Sequence, residues 1–420
     1  MADLIPPPLR DDCFALPPGI DWTPVEVAQA RLRDRLHRVT TAQTRPLGAA
    51  LGAILAQDVV ARRSNPPLPN SAVDGYGFAF DSLPTGDPVL PLSEGRAAAG
   101  LVFDGEVAAG QAIRVLTGAA LPKGVDTVVL EEDVTRGDGK IAFRQGVRKG
   151  ANTRQAGEDV TEGQAILKAG HRIGVADLAL CAAVGVADLD VFSRLRVAVI
   201  STGDELIEAG EVARPGQIHD ANRPMLLGLL AKAGYEAVDL GRIGDDRDRL
   251  RAGLDAGAMR ADVILTSGGA SAGDEDHVSA LLNESGAMGL WRIAIKPGRP
   301  LALGMWNGVP VFGLPGNPVA ALVCALVFGL PAMGLLAGQG WRDPLAFPLP
   351  AGFSKRKKAG RREYLRARVR DGKVEVFASE GSGRISGLSW AEGLVELPDH
   401  AMEVHMGDPV RFLPWGSFGV

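Results

Sequence analysis

Ten residues, Ser267 to Asp276 (SGGASAGDED), hold the densest chemistry in the chain. Gly268, Gly269 and Gly273 let a ligand approach the backbone closely. Ser267 and Ser271 add hydroxyls, and the start of a helix favours an anion. Asp274, Glu275 and Asp276 then crowd three carboxylates beside that anion site. They repel it unless a hard divalent cation such as Mg²⁺ bridges carboxylate and phosphate. The plainer alternative is an acidic helix cap. The segment Gly269–Gly273 also matches the G-x-S-x-G elbow of α/β-hydrolases. Carboxylates directly after it would oppose a developing oxyanion, and no HGGG-like segment precedes it, so hydrolysis through Ser271 is the weaker reading.

Other segments repeat this logic. Ser201-Thr202-Gly203-Asp204-Glu205 combines hydroxyls, a turning glycine and two carboxylates, and Asp245-Asp246 adds more carboxylates after the next strand. Ile295-Lys-Pro-Gly-Arg-Pro300 stiffens Lys296 and Arg299 between prolines, with Arg292 four residues ahead of Lys296. A rigid basic turn suits a phosphate or a tetrahedral oxyanion, although an exposed charge pair would look the same. Nearer the N-terminus, turn residues gather around Asp74 (Pro67–Gly77), Thr117 (Thr117–Gly124) and Asp159 (Asn152–Asp159). Each of these three is by itself what an ordinary turn contains.

Elements must bring such loops together. The chain has 420 residues, enough for two to four domains. From Leu55 to about Arg148, short apolar runs (Gln57–Ala61, Ala112–Leu116, Thr127–Glu131, Lys140–Phe143) alternate with Gly/Pro turns and predict a small β domain. Between Arg194 and Ala337, strands alternate with helices. The expected strands are Arg196–Ser201, Tyr235–Ile243, Asp262–Thr266, a strand near Trp291–Ile295 and Val309–Gly313. The expected helices are Arg223–Ala233, Arg247–Ala256 and Asp276–Glu284. That rhythm predicts a parallel α/β sheet, whose strand C-termini are where ligands bind. Beyond Trp341 only short strands and turns remain, which fits a small β-barrel. A helix over Thr23–Val39, capped by Thr23 with Pro24 at its first position, opens the chain.

The net charge of −5 excludes a general pull toward nucleic acid or an anionic membrane. Cys13, Cys181 and Cys324 form no C-x-x-C pair, and the six histidines show no metal-ligand spacing. A zinc site or disulfide framework is therefore not expected, and a reducing cytoplasm is. There is no P-loop. Pro300 to Trp341 lacks any charged residue. Its length permits a membrane span, but the Asn317-Pro318 helix start, the expected break at Pro331 and the lack of a flanking Lys/Arg cluster favour a buried helix.

Taken together, these segments resemble the MoeA family, which includes the gephyrin E domain, from about residue 21 to the C-terminus. The resemblance rests on Asn70–Tyr76 (NSAVDGY), Thr117-Gly-Ala, Arg154–Asp159 (RQAGED), Ser201–Leu206 (STGDEL), Ser267–Asp276, Ile295–Pro300 and Leu314–Pro318 (LPGNP). It implies four parts: an elongated N-terminal domain from 21–62 and 149–192, an inserted β domain at 63–148, an α/β molybdopterin-binding domain at 193–338, and a C-terminal β-barrel at 343–420. It also implies a homodimer with a cleft shared between subunits. The implied activity is insertion of molybdate into adenylated molybdopterin with a divalent cation, Mg²⁺, releasing AMP and molybdenum cofactor. A molybdopterin-adenylating enzyme would act upstream, and molybdoenzymes or cofactor-modifying proteins downstream.

By motif, Glu205, Asp245 and Asp276 would hold substrate and cation. Lys296, Arg292, Arg299, Pro300, Arg366, Ser382 and Ser386 would surround molybdate and phosphate. Ser201, Thr202, Gly203, Asp204, Ser267, Gly268, Gly269, Ser271 and Gly273 would form the pterin-nucleotide loops, and Asp74, Thr117 and Asp159 would line the cleft. Arg stands at 292 and 299 where Lys is frequent in similar proteins, which keeps the charge but presents a planar fork. Two alternatives remain. A molybdopterin adenylyltransferase would need only the α/β domain. A gephyrin-like scaffold would not need intact acidic loops.

Overall fold

The computed structural model describes residues 22–268, 277–284, 289–291, 293–298 and 301–420. The chain divides into two compact units, residues 43–191 and residues 1–42 with 192–420. Both mix strands and helices, with strands in the majority.

The 43–191 unit has two cores. One packs Leu55, Val59 and Ala61 against Ile173, Cys181, Val184 and Val191, around the helix Val175–Ala183. The other lies on a six-stranded sheet whose strands include Gly75–Phe78, Ala112–Val115, Thr127–Leu130 and Lys140–Phe143. The turn-rich segment Pro67–Gly77 runs into Gly75–Phe78, a buried inner strand paired antiparallel to both Ala112–Val115 and Thr127–Leu130. A Cβ at Gly75 would collide with the Val129 carbonyl oxygen, so glycine here permits close strand approach.

The second unit is built on helix α1 (Val25–Arg35), strand β1 (Arg196–Thr202), helix α2 (Asn222–Lys232), strand β2 (Glu236–Ile243), helix α3 (Arg247–Arg260), strand β3 (Val263–Ser267), helix α4 (His277–Glu284), strands β4 (Gly289–Trp291), β5 (Leu301–Trp306) and β6 (Val309–Leu314), and helix α5 (Pro318–Ala337). The sheet order is β2-β1-β3-β6-β5-β4. β2, β1, β3 and β6 run parallel, as the alternating pattern predicts, while β5 and β4 are antiparallel additions. The strands expected from sequence for this parallel sheet do not include β5. Asn307 (φ 48°) and Gly308 (φ 81°) form the two-residue turn of a β5–β6 hairpin, which Asn-Gly strongly favours.

Three further expectations are corrected. Pro24, rather than Thr23, occupies the N-cap of α1, and no side chain caps it. Thr23 instead bridges Ile293. The strand expected near Trp291–Ile295 is two strands: β4 joins the α/β sheet, whereas Ile295–Lys296 pairs with Arg362-Glu363 at the edge of the C-terminal sheet. Finally, Pro331 does not end the last helix. A π-helical turn over Ala325–Gly329 precedes it, and α5 continues to Ala337. The wider turn accommodates a ring that would clash with a regular α-helical backbone. α5 is apolar enough to span a membrane, but 89% of its most apolar stretch is buried inside the protein.

The C-terminal sheet runs (Ile295–Lys296)-(Arg362–Arg370)-(Gly393–Leu397)-(Pro409–Pro414)-(Phe347–Pro350), over a core of Leu365, Ala367, Val395, Val410 and Phe412.

Candidate functional site

Strand register creates the site. Thr202 of β1 pairs with Ile243 of β2, Ser201 with Ser267 of β3, and Ser267 with Leu314 of β6. Four parallel strands therefore end level, and their following loops lie side by side along one edge. The chain passes from β1 to β2 on one side and then crosses to β3 on the other, so the β1/β3 crevice is the switch point where open α/β sheets bind ligands. Gly268 adopts φ 96°, and a Cβ there would lie 2.7 Å from the Thr202 carbonyl oxygen. Only glycine lets the β1 and β3 exits close on each other.

Each loop is fixed by exchange with its neighbour. Asp204 N–H donates to Asp245 Oδ2 (3.2 Å), and Asp245 N–H donates to Asp204 Oδ1 (3.0 Å). Asp246 caps α3 by accepting from the Arg249 N–H (2.8 Å). The Asp245-Asp246 pair thus divides its labour, one residue tying loops and the other starting a helix. The Glu205 carboxylate folds against the open face of Gly203, whose φ is 143°. Asp204, Glu205 and Asp245 are exposed at this edge.

Two residues beneath the crevice escaped the sequence reading. Asn222 Nδ2 donates to Ser267 Oγ (2.7 Å) and to the Gly316 carbonyl (2.6 Å), joining the exits of β3 and β6. Asp220 accepts from the backbone N–H groups of Asn222 and Arg223 and pairs with the Arg223 guanidinium. The run Asp220-Ala-Asn-Arg-Pro224 carries the signal of an acid placed before a helix start. Ser201 Oγ and Asn222 Oδ1 are buried and have no hydrogen-bond partner among the described residues. Such groups cost about 1–3 kcal/mol unless something satisfies them, and both atoms lie at this crevice.

A second cluster flanks this edge. Lys296 Nζ donates to Glu380 Oε2 (2.7 Å) and lies 3.4 Å from Glu363 Oε1. Lys355 bridges the same two carboxylates. Burial pulls the Lys296 pKa down, but its bonds to Glu380 and Glu363 leave it above the ordinary lysine value. A cleft opens between Lys296, Tyr364, Arg366 and Phe377. Arg366, expected around the oxyanion, is buried over the Phe377 ring and donates to the carbonyls of Ser379, Gly381 and Arg384. The Val319 N–H at the start of α5 donates to the Ser382 carbonyl (3.2 Å), so the 379–384 loop sits against the β6–α5 junction. Ser386 is exposed and opens the short helix Ser386–Trp390.

The remaining candidates fall elsewhere. Asp74 and Thr117 meet in the 43–191 unit, where Thr117 donates its N–H (2.7 Å) and its hydroxyl (2.6 Å) to Asp74 Oδ1. Those bonds, the hydroxyl's first, hold the Asp74 carboxyl below the ordinary aspartate range. Asp159 in the same unit accepts from Asn65 Nδ2 (2.9 Å). Gly269, Ser271, Gly273, Asp276, Arg292, Arg299 and Pro300 lie outside the described residues. Among the described residues, no group of three or more His, Cys, Asp or Glu side chains forms a metal site. Cys181 and Cys324 are buried free thiols, and burial pushes Cys324 up to about 12.

An α/β sheet edge with glycine exits and exposed carboxylates, and a paired Lys–Glu cluster whose loop packs against the β6–α5 junction, defines an enzyme class that handles a polar small molecule. Comparison with known proteins makes this specific. Residues 23–185 match the MoeA N-terminal region (domain I and II), 198–334 a probable molybdopterin binding domain, and 348–415 the MoeA C-terminal region (domain IV). A molybdopterin molybdenumtransferase of Haemophilus influenzae is 34% identical over 93% of this chain and 98% of its own length. Molybdopterin molybdenumtransferase 2 of Mycobacterium tuberculosis is 35% identical over 88% of this chain and 94% of its own. A crystal structure of the molybdopterin biosynthesis MoeA protein of Pyrococcus horikoshii superposes with a TM-score of 0.83 at 28% identity, covering 94% of this chain and all of that one. The chain belongs to the MoeA family of molybdopterin molybdenumtransferases, enzymes of molybdenum cofactor biosynthesis.

Proposed function

We propose that this enzyme inserts molybdate into the dithiolene of adenylated molybdopterin, releasing AMP and molybdenum cofactor. The observation that carries the reading is the level ending of β1, β2, β3 and β6, which sets Ser201-Thr202, Asp204–Asp245 and Ser267-Gly268 in one row. In this reading the crevice hydroxyls and Gly268 receive the pterin and its nucleotide phosphates. Lys296 and Arg299 attract molybdate and the phosphate oxygens. Arg366 acts at one remove, as a positioning residue that holds the loop carrying Ser382.

Glu205, Asp245 and Asp276 are assigned to Mg²⁺. Carboxylate oxygens suit a hard cation, and Asp204 and Asp245 each use one oxygen to tie the loops. When bound, the cation would neutralise and polarise the scissile phosphate. The dithiolene sulfurs belong to the substrate, so no protein nucleophile is required, consistent with thiols that are buried and kept protonated.

The four-part division given above, with residues 343–420 as a barrel, belongs to the same reading. So do a homodimeric state, a cytoplasmic location, and partners that supply adenylated molybdopterin and accept the finished cofactor. Sedimentation of the purified chain checks the dimer.

The central test uses the full-length protein with adenylated molybdopterin, molybdate and Mg²⁺, beside Asp276→Ala. AMP release and active cofactor from wild type, both lost in the variant, support insertion. A folded protein that binds the pterin without turnover would point to a carrier or scaffold instead.

A further inference from the structure

The cluster around Lys296 is graded from inside to outside. Side-chain exposure is 9% for Glu363, 13% for Lys355, 26% for Lys296 and 44% for Glu380. Both lysines bridge both carboxylates, so the four charges cancel. Glu363 is the buried inner partner, held in strand Arg362–Arg370 beside Ile295–Lys296. Glu380 comes from a loop and covers the lysines from the solvent side. Arg366 donates to the carbonyls of Ser379 and Gly381, the residues on either side of Glu380. The loop backbone is thereby clamped, the Glu380 side chain is held only by its two lysine partners, and the cleft lined by Lys296, Arg366 and Phe377 opens next to it.

We infer that Glu380 is an internal counter-anion that occupies the oxyanion position on Lys296 and Lys355 and must swing out before a tetrahedral oxyanion can bind there. This rests on the reading of Lys296 as the molybdate-receiving cation. With Glu380 in place the two lysines and two glutamates balance, so an inorganic anion gains less by entering than it would with the carboxylate gone. With Glu380 out, two lysines face one buried carboxylate, and the net positive charge attracts a dianion. Glu380 is thus a specificity-determining residue: it makes any oxyanion compete with a tethered carboxylate, which raises the molybdate concentration needed and suppresses adventitious binding. Burial opposes its charge, but the bonds from Lys296 and Lys355 keep the carboxyl below its ordinary value, so it stays an anion at neutral pH.

The test is calorimetric titration of the full-length protein with sodium molybdate, and separately with sodium sulfate, for wild type, Glu380→Gln and Glu380→Ala. The molybdate KM and kcat are measured alongside. Both variants should bind molybdate about tenfold more tightly, equivalent to ~1.4 kcal/mol. They should show a lower molybdate KM and gain measurable sulfate binding. A purely structural Glu380 would give the opposite sign: weaker oxyanion binding, or equal binding with reduced thermal stability. Glu380→Ala keeps the proposal open to refutation if Glu380→Gln retains a hydrogen bond to Lys296. If wild type turns over but neither variant gains oxyanion affinity, the counter-anion idea falls and the insertion reading stands. If the variants gain affinity while no form turns over, the insertion reading falls and the counter-anion stands.

Discussion

Gln29 Nε2 donates to the carbonyl of Val327 at 3.2 Å, across 298 residues of sequence. In a regular α-helix that carbonyl would accept the N–H of residue 331, which is Pro331 and has none. α1 therefore supplies, from a side chain, a donor that the backbone of α5 lacks. Together with the π turn at Ala325–Gly329, this lets one apolar helix run unbroken through the core of its unit.

Gln29→Leu should lower stability by about 1–2 kcal/mol, because it leaves a buried carbonyl without its partner. In a Pro331→Ala background, where residue 331 regains an N–H, the same change should cost less than about 0.5 kcal/mol. Urea denaturation of the four proteins measures the coupling. Equal losses in both backgrounds would show that Gln29 does not compensate for Pro331.

Asn222 ties Ser267 to Gly316, so Asn222→Ala should cost about 1–3 kcal/mol and weaken binding of a pterin nucleotide at the β1/β3 crevice. Asn222→Asp keeps the shape but replaces the amide donor with an acceptor, and should be as damaging as alanine. If Asn222→Asp bound the nucleotide as wild type does, the residue would not be acting through its amide N–H groups.

The Asp204–Asp245 exchange separates geometry from charge. Asparagine at 245 retains an oxygen for the Asp204 N–H, so Asp245→Asn should leave the thermal midpoint nearly unchanged while raising the Mg²⁺ concentration needed for half-maximal turnover. Asp245→Ala should lose both. Loss of activity in Asp245→Asn that excess Mg²⁺ does not relieve, in a stable protein, would count against a role in holding the cation.

The Asp74–Thr117 contact has a pH signature. The folded-state pKa of Asp74 lies below its unfolded value, so its stabilising effect is full above about pH 4 and fades as the pH falls through the folded value. Thr117→Val removes the hydroxyl donor, brings the Asp74 pKa back toward ordinary and leaves the backbone bond. The stability difference between wild type and Thr117→Val should therefore be constant above about pH 4 and narrow as the pH falls below it. A difference that stays constant below about pH 4 as well would mean the hydroxyl contributes through packing rather than through the carboxylate charge.

Local chemistry was legible wherever one segment carries its own explanation. The alternating pattern from Arg194 located β1, β2, β3 and β6 to within a residue or two. The turn-rich exits Ser201–Glu205 and Ser267-Gly268 stand at the strand ends where an α/β sheet puts ligands. Strand Gly75–Phe78 was not legible, because Gly75 is demanded by the closeness of the neighbouring strand and Gly77 by the Val125 side chain rather than by a turn of their own. β5 was obscured by the apolar run around it, although its Asn307-Gly308 turn was visible.

The sequence by itself determined the inventory: hydroxyl and glycine exits, acidic loops, a proline-stiffened cation, and the set of motifs that marks the family. Tertiary structure decided the partnerships. Asp204 finds Asp245 across 41 residues, Lys296 finds Glu380 across 84, and Arg366 spends its guanidinium on the carbonyls of a loop backbone. A residue's type sets which interactions it can make. Which one it does make depends on strand register and on how sheets pack, and those are settled by pairings between segments far apart in the chain.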